Sequence, residues 1–322
     1  MTNTYKTQFP PRFHFLFCTS TDSHTQLAMK IFVTGPTGFI GRTTVDALLS
    51  SGYTVLGLAR SQKAETSLGA KGVQVISGGL EDLDALRKGA SESDGVLHLG
   101  FIHSYTGFKS SLEIDRNASA AMLDVLKGTN KPFINVTITQ FLEEGHPAAD
   151  EDSPYTKRTG YPFDRGLNEK AVLEYSTSGV RAMSVRVGTV HGKGDLGFIP
   201  YIVHVEKDHG SAIYIGKGDN VWTAVNVSDA ASFFLLLLEK GRAGKTYNAV
   251  AENVSIKSIA ETIGRKYGLQ VKSVSEKEGA EVFGFLAPLT TDDNRVSSEK
   301  SKKELGWVVK GEGLLDDIRK YY

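Results

Sequence analysis

The amino-acid sequence predicts a doubly wound α/β fold, in which helices cover both faces of a parallel sheet, followed by a smaller C-terminal α+β lobe. Through residue 191, apolar β-branched runs of strand length alternate with segments of helical periodicity. Such alternation is typical of parallel sheets that are covered on both faces. From residue 192 onward the strands are shorter and the alternation is irregular. We therefore predict one domain over residues 29–191 and a substrate-capping lobe over residues 192–322 that is interleaved with it.

The individual elements follow from the same patterns. The first strand, first helix and second strand are predicted at residues 31–33, 40–49 and 55–58. Further strands are predicted over residues 73–76, 95–99, 133–138, 182–187, 212–215, 222–225 and 246–250. Further helices are predicted over residues 81–88, 111–126, 163–178, 229–239, 256–267, 297–305 and 314–321. The most apolar run, residues 233–238, is far too short to span a membrane and is predicted to be part of a buried helix.

Three glycines, Gly35, Gly38 and Gly41, stand where the first strand meets the first helix. Glycine allows the unusual dihedral angles of such a turn and lets backbone amides approach a pyrophosphate. The helix that begins there directs the positive end of its dipole at the same anion. Strand, glycine turn, helix and strand together predict a Rossmann-type dinucleotide-binding unit. The cofactor-binding residues predicted in the turn are Gly35, Thr37, Gly38, Phe39, Ile40 and Gly41.

The end of the second strand indicates which dinucleotide is bound. NAD-binding units carry an Asp or Glu there, which accepts hydrogen bonds from the ribose hydroxyls. This sequence has Ala59, Arg60 and Ser61 instead. A guanidinium suits a 2′-phosphate, because its planar fork donates two charge-assisted hydrogen bonds. NADP(H) is therefore favoured over NAD(H), and the alternative interpretation of Arg60 is a solvated loop arginine.

Composition limits the expected partners. The 322 residues include 37 basic and 37 acidic side chains, so the formal net charge is zero. That balance gives no indication of a nucleic-acid or membrane partner. Cys18 is the single cysteine, and no spacing of His, Asp and Glu resembles a metal site. We expect a small-molecule substrate and no metal, and we leave open whether the chain forms a homodimer.

Residues 1–28 differ from the rest of the chain. They show no strand or helix pattern and contain one acidic residue, Asp22. We expect a disordered extension or a natural start at Met29, and therefore a cytoplasmic protein. The alternative is a mitochondrial transit peptide with Lys6 and Arg12 as its basic residues, although Pro10 and Pro11 would interrupt its helix.

Residues 34–41, Thr-Gly-Pro-Thr-Gly-Phe-Ile-Gly, resemble the glycine signature of the extended or atypical short-chain dehydrogenases/reductases, the NAD(P)-dependent epimerase/dehydratase-like superfamily. Gly79 and Leu80 stand where that family usually has an Asp-Leu pair that contacts adenine, with the acid missing. Residues 97–101 resemble the fourth-strand motif that passes beside the cofactor's ribose. The resemblance extends over nearly the whole chain. It adds to the cofactor-binding residues Leu80, Leu99, Gly100 and Phe101.

The family's chemistry normally uses Tyr-x-x-x-Lys at the start of the helix after the fifth strand. The literal match, Tyr105 with Lys109, follows the fourth strand and is discarded. The correctly placed residues are Tyr161 and Arg165, four positions before Glu169. The resemblance implies Tyr161 as the acid, with a pKa lowered by Arg165, which keeps its positive charge but cannot transfer a proton. The alternative is a decayed catalytic site in which Tyr161 is a loop aromatic.

The family also ends its fifth strand with a Ser or Thr that orients the substrate oxygen. Here Thr137 and Thr139 flank Ile138, which occupies a position where many relatives carry a second serine. Strand alternation places both threonines on one face, so either is a candidate for this role. The alternative is that threonine is simply a good strand former. His103, after the fourth strand, is a further candidate for substrate binding or proton transfer, whereas His98 is expected in the core.

These observations predict an NADP(H)-dependent oxidoreductase that transfers a hydride to or from a small carbonyl or alcohol substrate. One alternative is a redox-sensing NADP-binding regulator that has lost catalysis. The other is an epimerase or dehydratase of nucleotide sugars, which would need a basic pocket for a second pyrophosphate. Lys193, Lys207 and Lys217 are too scattered to indicate such a pocket.

Overall fold

The computed structural model describes residues 28–103, 107–140, 142–143, 148–155 and 165–322. Its strands are β1 (Lys30–Thr34), β2 (Thr54–Ala59), β3 (Gln74–Ser77), β4 (Gly95–His98), β5 (Pro132–Ile138), β6 (Arg181–Val187), β7 (Thr189–His191), β8 (Ser211–Ile215), β9 (Val221–Asn226), β10 (Lys245–Ala249), β11 (Glu252–Ser255) and β12 (Gln270–Val274). Its helices are α1 (Phe39–Ser50), α2 (Gln62–Gly69), α3 (Leu83–Ser91), α4 (Phe108–Leu126), α5 (Gly166–Glu174), α6 (Phe198–His209), α7 (Val227–Lys240), α8 (Ile256–Tyr267), α9 (Glu276–Phe283), α10 (Ala287–Thr291), α11 (Glu299–Leu305) and α12 (Leu314–Tyr321).

The central sheet is parallel and doubly wound, as the sequence predicts. Within the described residues it has seven strands in the order β10-β6-β5-β4-β1-β2-β3. Helices α1 and α7 pack together on one face, and α3, α4 and α5 cover the other. The strand order changes direction between β1 and β4, so the carboxyl ends of these strands border a crevice where ligands bind in such sheets. The fold class predicted from the sequence is confirmed.

The smaller lobe is built on two short sheets. Strand β9 lies between β7 and β11, and β8 pairs in parallel with β12. Helices α6, α8, α9 and α12 contribute side chains to a separate apolar core around these strands. Among the helices of the described ranges, none has the length and apolar content needed to cross a bilayer.

One strand belongs to a different sheet from the one expected. The sequence places residues 246–250 among the short strands of the smaller lobe, but β10 pairs in parallel with β6 and completes the central sheet. Helix α7, just before it, packs against α1 on the same sheet. A five-residue strand looks alike in either sheet, because the partner strand and not the strand's own sequence decides the pairing.

Helices α2, α6, α9 and α10 are not among those that the sequence predicts, and for α2 and α6 the reason can be identified. Helix α2 has a single buried residue, Leu68, and is capped by Ser61, whose hydroxyl accepts a hydrogen bond from the Ala64 amide. Helix α6 buries residues at helical spacing, but one of them is the carboxylate Glu206. Burial raises the pKa of Glu206 to about 8, which reflects how unfavourable a charge is at this place. The polar residue Glu206 on the buried face therefore interrupts the apolar periodicity of that helix.

Candidate functional site

The turn between β1 and α1 has no space for a side chain at Gly35 or Gly41. Gly35 has a φ of 65°, and a Cβ on it would lie 2.8 Å from Gly100 Cα. A Cβ on Gly41 would lie only 2.0 Å from the carbonyl oxygen of Gly35. The Gly38 amide closes the turn by donating to the same oxygen over 3.1 Å. The three glycines therefore let helix α1 start directly against the end of β1.

Helix α1 begins without a side-chain cap, as do α4, α5, α6, α10, α11 and α12. Its N-cap residue is Gly38, no side chain accepts from its first amides, and its first turn contains no acidic residue. By contrast, the side chains of Ser61, Asn226 and Ser255 cap helices α2, α7 and α8. Uncapped amides at the positive end of a helix favour a bound anion. The start of α1 is thus suited to a phosphate group.

The ends of β1, β3 and β4 meet beside this turn. Thr34 Oγ1 accepts from the Gly100 amide over 3.0 Å and lies 2.7 Å from His98 Nδ1. A Cβ on Gly100 would lie 3.1 Å from Leu80 Cδ2 and 3.2 Å from the Gly35 nitrogen. The structure therefore brings Gly35, Leu80 and Gly100 together, and their binding of a cofactor stays a prediction.

A buried polar chain connects these strands to helices α4 and α5. His98 is buried, as expected, and its Nε2 lies 3.2 Å from Asp115 Oδ1. Asn168 Nδ2 donates to the other carboxylate oxygen of Asp115 over 2.6 Å. Burial alone would raise the Asp115 pKa, but the hydrogen bond and charge of His98, with Arg165 and Asn168, outweigh it and lower that pKa. The carboxylate thereby links α5 to the edge of the sheet where Gly100 lies.

Arg60 follows the last residue of β2 and is exposed. Within the ranges that the structure describes, neither Arg60 nor the exposed Lys63 forms an ion pair. Ser61, between them, caps helix α2. Arg60 and Lys63 thus flank the start of α2, whose first turn also contains Glu65, a carboxylate that accepts a hydrogen bond from Ser77.

Arg165 lies between the ends of β4 and β5. Its Nη2 donates to the Val136 carbonyl over 2.6 Å, and its guanidinium carbon is 4.2 Å from the centre of the Phe101 ring. The side chain is buried, and its Nε has no hydrogen-bond partner among the described residues. Tyr161 and Tyr105 lie outside the described residues. The structure therefore places the expected cation at the carboxyl edge of the sheet, beside Phe101.

His103 lies at the same edge. Its ring contacts Phe101 edge-on, with the ring centres 5.2 Å apart. Desolvation and then the charge of Arg165 lower the pKa of His103 below its ordinary value. The imidazole is therefore largely neutral at pH 7, a form that can both accept and donate a hydrogen bond.

Thr137 in β5 and Thr139, directly after the end of β5, are both buried, and each has internal partners. Thr137 Oγ1 donates to Glu169 Oε2 over 3.2 Å. Thr139 Oγ1 lies 2.7 Å from Thr223 Oγ1, and Asn294 Nδ2 donates to both hydroxyls over 3.1 Å. These contacts bind the end of β5 to α5, β9 and the segment after α10. A role of either threonine toward a substrate stays a prediction.

Ile138 is the residue of β5 that remains partly exposed. Because side chains alternate along a strand, it lies on the face opposite to Thr137 and Thr139. An apolar side chain, and not a hydroxyl, thus occupies the accessible position at the end of this strand.

Tyr155 is a site residue that the sequence did not indicate. Its hydroxyl donates to the Ile138 carbonyl over 2.6 Å and lies 3.0 Å from Thr137 Oγ1. Burial, followed by the charge of Glu169, raises the pKa of Tyr155 well above its ordinary value. The raised pKa makes this phenol a weaker acid, and its hydroxyl is engaged by the Ile138 carbonyl and Thr137, so Tyr155 supports the strand end structurally. Tyr155 lies 18 positions after Thr137 in the sequence, and no local pattern predicts the contact.

A buried ion pair lies beneath the threonines. Arg186 binds Glu169 through Nε at 3.1 Å and Nη2 at 2.5 Å, and both side chains are almost fully buried. Ser184 Oγ donates to the same carboxylate over 3.1 Å. The Arg186 guanidinium lies over the Tyr155 ring, 4.8 Å from its centre. Glu169 therefore joins β5, β6 and α5. In the part of the chain that the structure covers, no group of three or more His, Cys, Asp or Glu side chains forms a potential metal site.

The chain is similar to one family model and to several known proteins. The family model described as "NAD dependent epimerase/dehydratase family" matches residues 31–250. An uncharacterized protein of Saccharomyces cerevisiae is 42% identical over 302 residues, which cover 91% of this chain and 99% of the relative. The 4-hydroxy-2-methyl-3-oxo-4-farnesyl-3,4-dihydroquinoline-1-oxide ketoreductase of Stigmatella aurantiaca is 27% identical over 227 residues, covering 68% of this chain and 67% of that enzyme.

A solved structure shares the fold. The dTDP-glucose 4,6-dehydratase of Bacillus anthracis, crystallised in complex with NAD, superimposes with a TM-score of 0.70 at 19% sequence identity. The match covers 91% of this chain and 95% of the dehydratase. At that identity the likeness concerns the fold alone.

Proposed function

The chain belongs to the NAD dependent epimerase/dehydratase family, and from this premise we propose that it is an NADP(H)-dependent oxidoreductase that reduces a small carbonyl compound or oxidises the corresponding alcohol. The observation that carries the proposal is that the glycine turn and the buried cation Arg165 lie at the same edge of the sheet. The first amides of α1, which follow the turn, have no side-chain cap. The ketoreductase among the relatives supports the same class of reaction.

The described residues suit the cofactor. The amides at the start of α1 would hold the pyrophosphate, and Leu80 with Gly100 would border the adenosine. Arg60, together with Lys63, would bind the 2′-phosphate, which favours NADP(H) over NAD(H). When bound, the nicotinamide supplies or accepts the hydride.

The protein's own part in the reaction is the transfer of one proton and its electrostatic support. In this proposal Tyr161 gives its phenolic proton to the carbonyl oxygen as the alcohol forms, and takes it back in the reverse direction. Arg165 stays charged at any working pH and favours the phenolate that is left. Its bond to Val136 and its stacking on Phe101 fix that charge at the sheet edge.

The first test measures NADPH consumption with a panel of aldehydes and ketones. We expect Tyr161→Phe to lower kcat roughly 100-fold, because positioned acids contribute at least that factor, while the Kd of NADPH is unchanged. The matched control is Tyr175→Phe, which removes an exposed hydroxyl that donates to Asp124. This variant should keep full activity. If the wild type binds NADPH but reduces no carbonyl, the oxidoreductase proposal is wrong.

That outcome would leave an NADP-binding regulator as the function. The internal hydrogen bonds of Thr137 and Thr139, with Ile138 at the accessible position, favour this second candidate. In that case NADPH should bind and alter the protein's stability or associations without being consumed.

The cofactor preference has its own test. We expect Arg60→Ala to weaken NADPH binding roughly 10- to 100-fold, since hydrogen bonds to charged groups contribute about 1.5–3 kcal/mol. NADH binding should change less than about twofold, because NADH has no 2′-phosphate for the arginine to bind. Titration of both nucleotides by isothermal calorimetry gives the two Kd values. Arg265→Ala, an exposed arginine on α8, is the control, and equal losses for both nucleotides would refute the 2′-phosphate role.

A further inference from the structure

The loop of residues 192–197, between β7 and α6, is fastened to the C-terminal helix. At its start, His191 Nδ1 lies 2.6 Å from Asp317 Oδ2 on α12, and both side chains are 1% exposed. Asn226 Nδ2 donates to the same oxygen of Asp317 over 3.1 Å. The loop therefore begins directly after a buried polar contact between β7 and α12, which fixes the residue before Gly192.

A second contact closes the loop on itself. The Tyr322 hydroxyl accepts from the Gly192 amide over 2.8 Å and donates to Asp195 Oδ2 over 3.0 Å. The other carboxylate oxygen, Asp195 Oδ1, accepts from the Gly197 amide over 2.6 Å. Tyr322 and Asp195, which we term the latch, thus join both ends of the loop.

The middle of the loop reaches the glycine turn of the cofactor site. Arg42, the residue after Gly41, donates through Nη2 to the Gly194 carbonyl over 2.7 Å. Its guanidinium carbon is 5.3 Å from the centre of the Phe39 ring. Gly194 has a φ of 83°, and a Cβ on it would lie 2.5 Å from Arg42 Nη2. The backbone of the loop, with no side chain between, therefore holds a cation in the first turn of α1.

We propose that the latch fixes the loop so that Gly194 holds Arg42 beside the anion-binding turn, which makes Arg42 a residue for the cofactor's pyrophosphate and Tyr322 its positioning residue. The inference rests on the proposed function only in that a dinucleotide binds at this turn. The Arg42 guanidinium has five N–H donors. Its close contact with the Gly194 carbonyl uses Nη2 alone, so other N–H groups remain that can donate to a phosphate. Holding the side chain in advance reduces the ordering entropy that binding would otherwise cost.

The test is a double-mutant cycle read out as the Kd of NADPH. We expect Arg42→Ala to raise this Kd roughly tenfold or more, since a charge-assisted hydrogen bond is lost. Tyr322→Phe should raise it about fivefold, because the latch acts only through the loop. The double variant should be no weaker than Arg42→Ala alone, since removing the cation leaves nothing for the latch to position.

A smaller probe separates positioning from general loosening of the protein. The nucleotide 2′-AMP carries the 2′-phosphate and adenine but no pyrophosphate, so neither variant should change its Kd. In the protein without nucleotide, hydrogen exchange at residues 193–196 should quicken in Tyr322→Phe. Asp195→Asn, which weakens the latch from the other side, should reproduce the effect of Tyr322→Phe on NADPH. The neighbouring exposed Tyr321→Phe is the control and should match the wild type.

Several results would overturn the inference. These are an unchanged NADPH Kd in Tyr322→Phe, factors that multiply in the double variant, or an equal loss of 2′-AMP affinity. None of these measurements requires turnover. A protein that binds NADPH without reducing any carbonyl would therefore refute the oxidoreductase proposal and leave this one intact. A protein that reduces a carbonyl but gives one of the three results above would refute this inference and leave the oxidoreductase proposal intact.

Discussion

Gly41→Ala is expected to raise the Kd of NADPH at least about 100-fold, because each hydrogen bond to a charged group contributes about 1.5–3 kcal/mol and more than one amide would be displaced. The added Cβ would lie 2.0 Å from the Gly35 carbonyl oxygen and 3.0 Å from Pro36 Cα. Both neighbours are backbone atoms, so no side chain can rotate away to make room. Helix α1 would have to move off the end of β1, and its first amides would no longer meet at one anion.

The measurement is nucleotide titration followed by fluorescence, with circular dichroism and thermal unfolding to show that the variant folds. Gly69→Ala is the matched control. This glycine ends helix α2, has no left-handed φ, and an added Cβ would meet no atom within 4 Å. Alanine there should leave NADPH binding unchanged and stabilise the helix slightly. Affinity within tenfold of wild type in a folded Gly41→Ala would mean that the pyrophosphate does not bind at this turn.

Glu169→Ala is expected to lower the free energy of unfolding by about 3–5 kcal/mol, because breaking a buried ion pair leaves an uncompensated charge. The charge left behind is Arg186, whose side chain is 5% exposed. The hydroxyls of Thr137 and Ser184 would lose their acceptor as well. Urea unfolding gives the free energy, provided that the slope with denaturant stays constant.

Two companion variants make that result specific. Asp84→Ala removes one member of an exposed pair with Arg87 and should change stability little, since solvated pairs contribute almost nothing. A double replacement of Glu169 and Arg186 by methionine should recover much of the loss, because no charge remains buried. A small loss in Glu169→Ala would show that water reaches Arg186 in the folded protein.

The local parts of the site are those that the sequence predicts well. The glycine turn, the two strands beside it and Arg60 lie within 31 consecutive residues, and each depends on the nature of its own residues and immediate neighbours. Only glycine fits the backbone geometry of Gly35 and the close approach at Gly41, so the turn at these positions can be predicted without a structure. The doubly wound sheet follows in the same way from alternating strands and helices.

Contacts between residues that are far apart in the sequence cannot be predicted in this way. Asn294 reaches Thr139 across 155 positions of the sequence, and Tyr322 reaches Gly192 across 130. The sequence marks Thr137 and Thr139 as hydroxyls at a strand end, but it cannot tell whether another chain segment occupies those hydroxyls. The placement of β10 beside β6 is a long-range choice of the same kind.

The sequence by itself thus determined the glycine turn and the alternation of strands and helices that builds the doubly wound sheet, because periodicity and glycine act between near neighbours. Only the tertiary structure decided which hydroxyls are engaged, that Ile138 is the accessible residue of β5, and that Arg42 is held by Gly194. Those outcomes depend on which distant segments pack together. Packing of that kind is set by the sum of many small contacts over the whole chain, and no single motif records it.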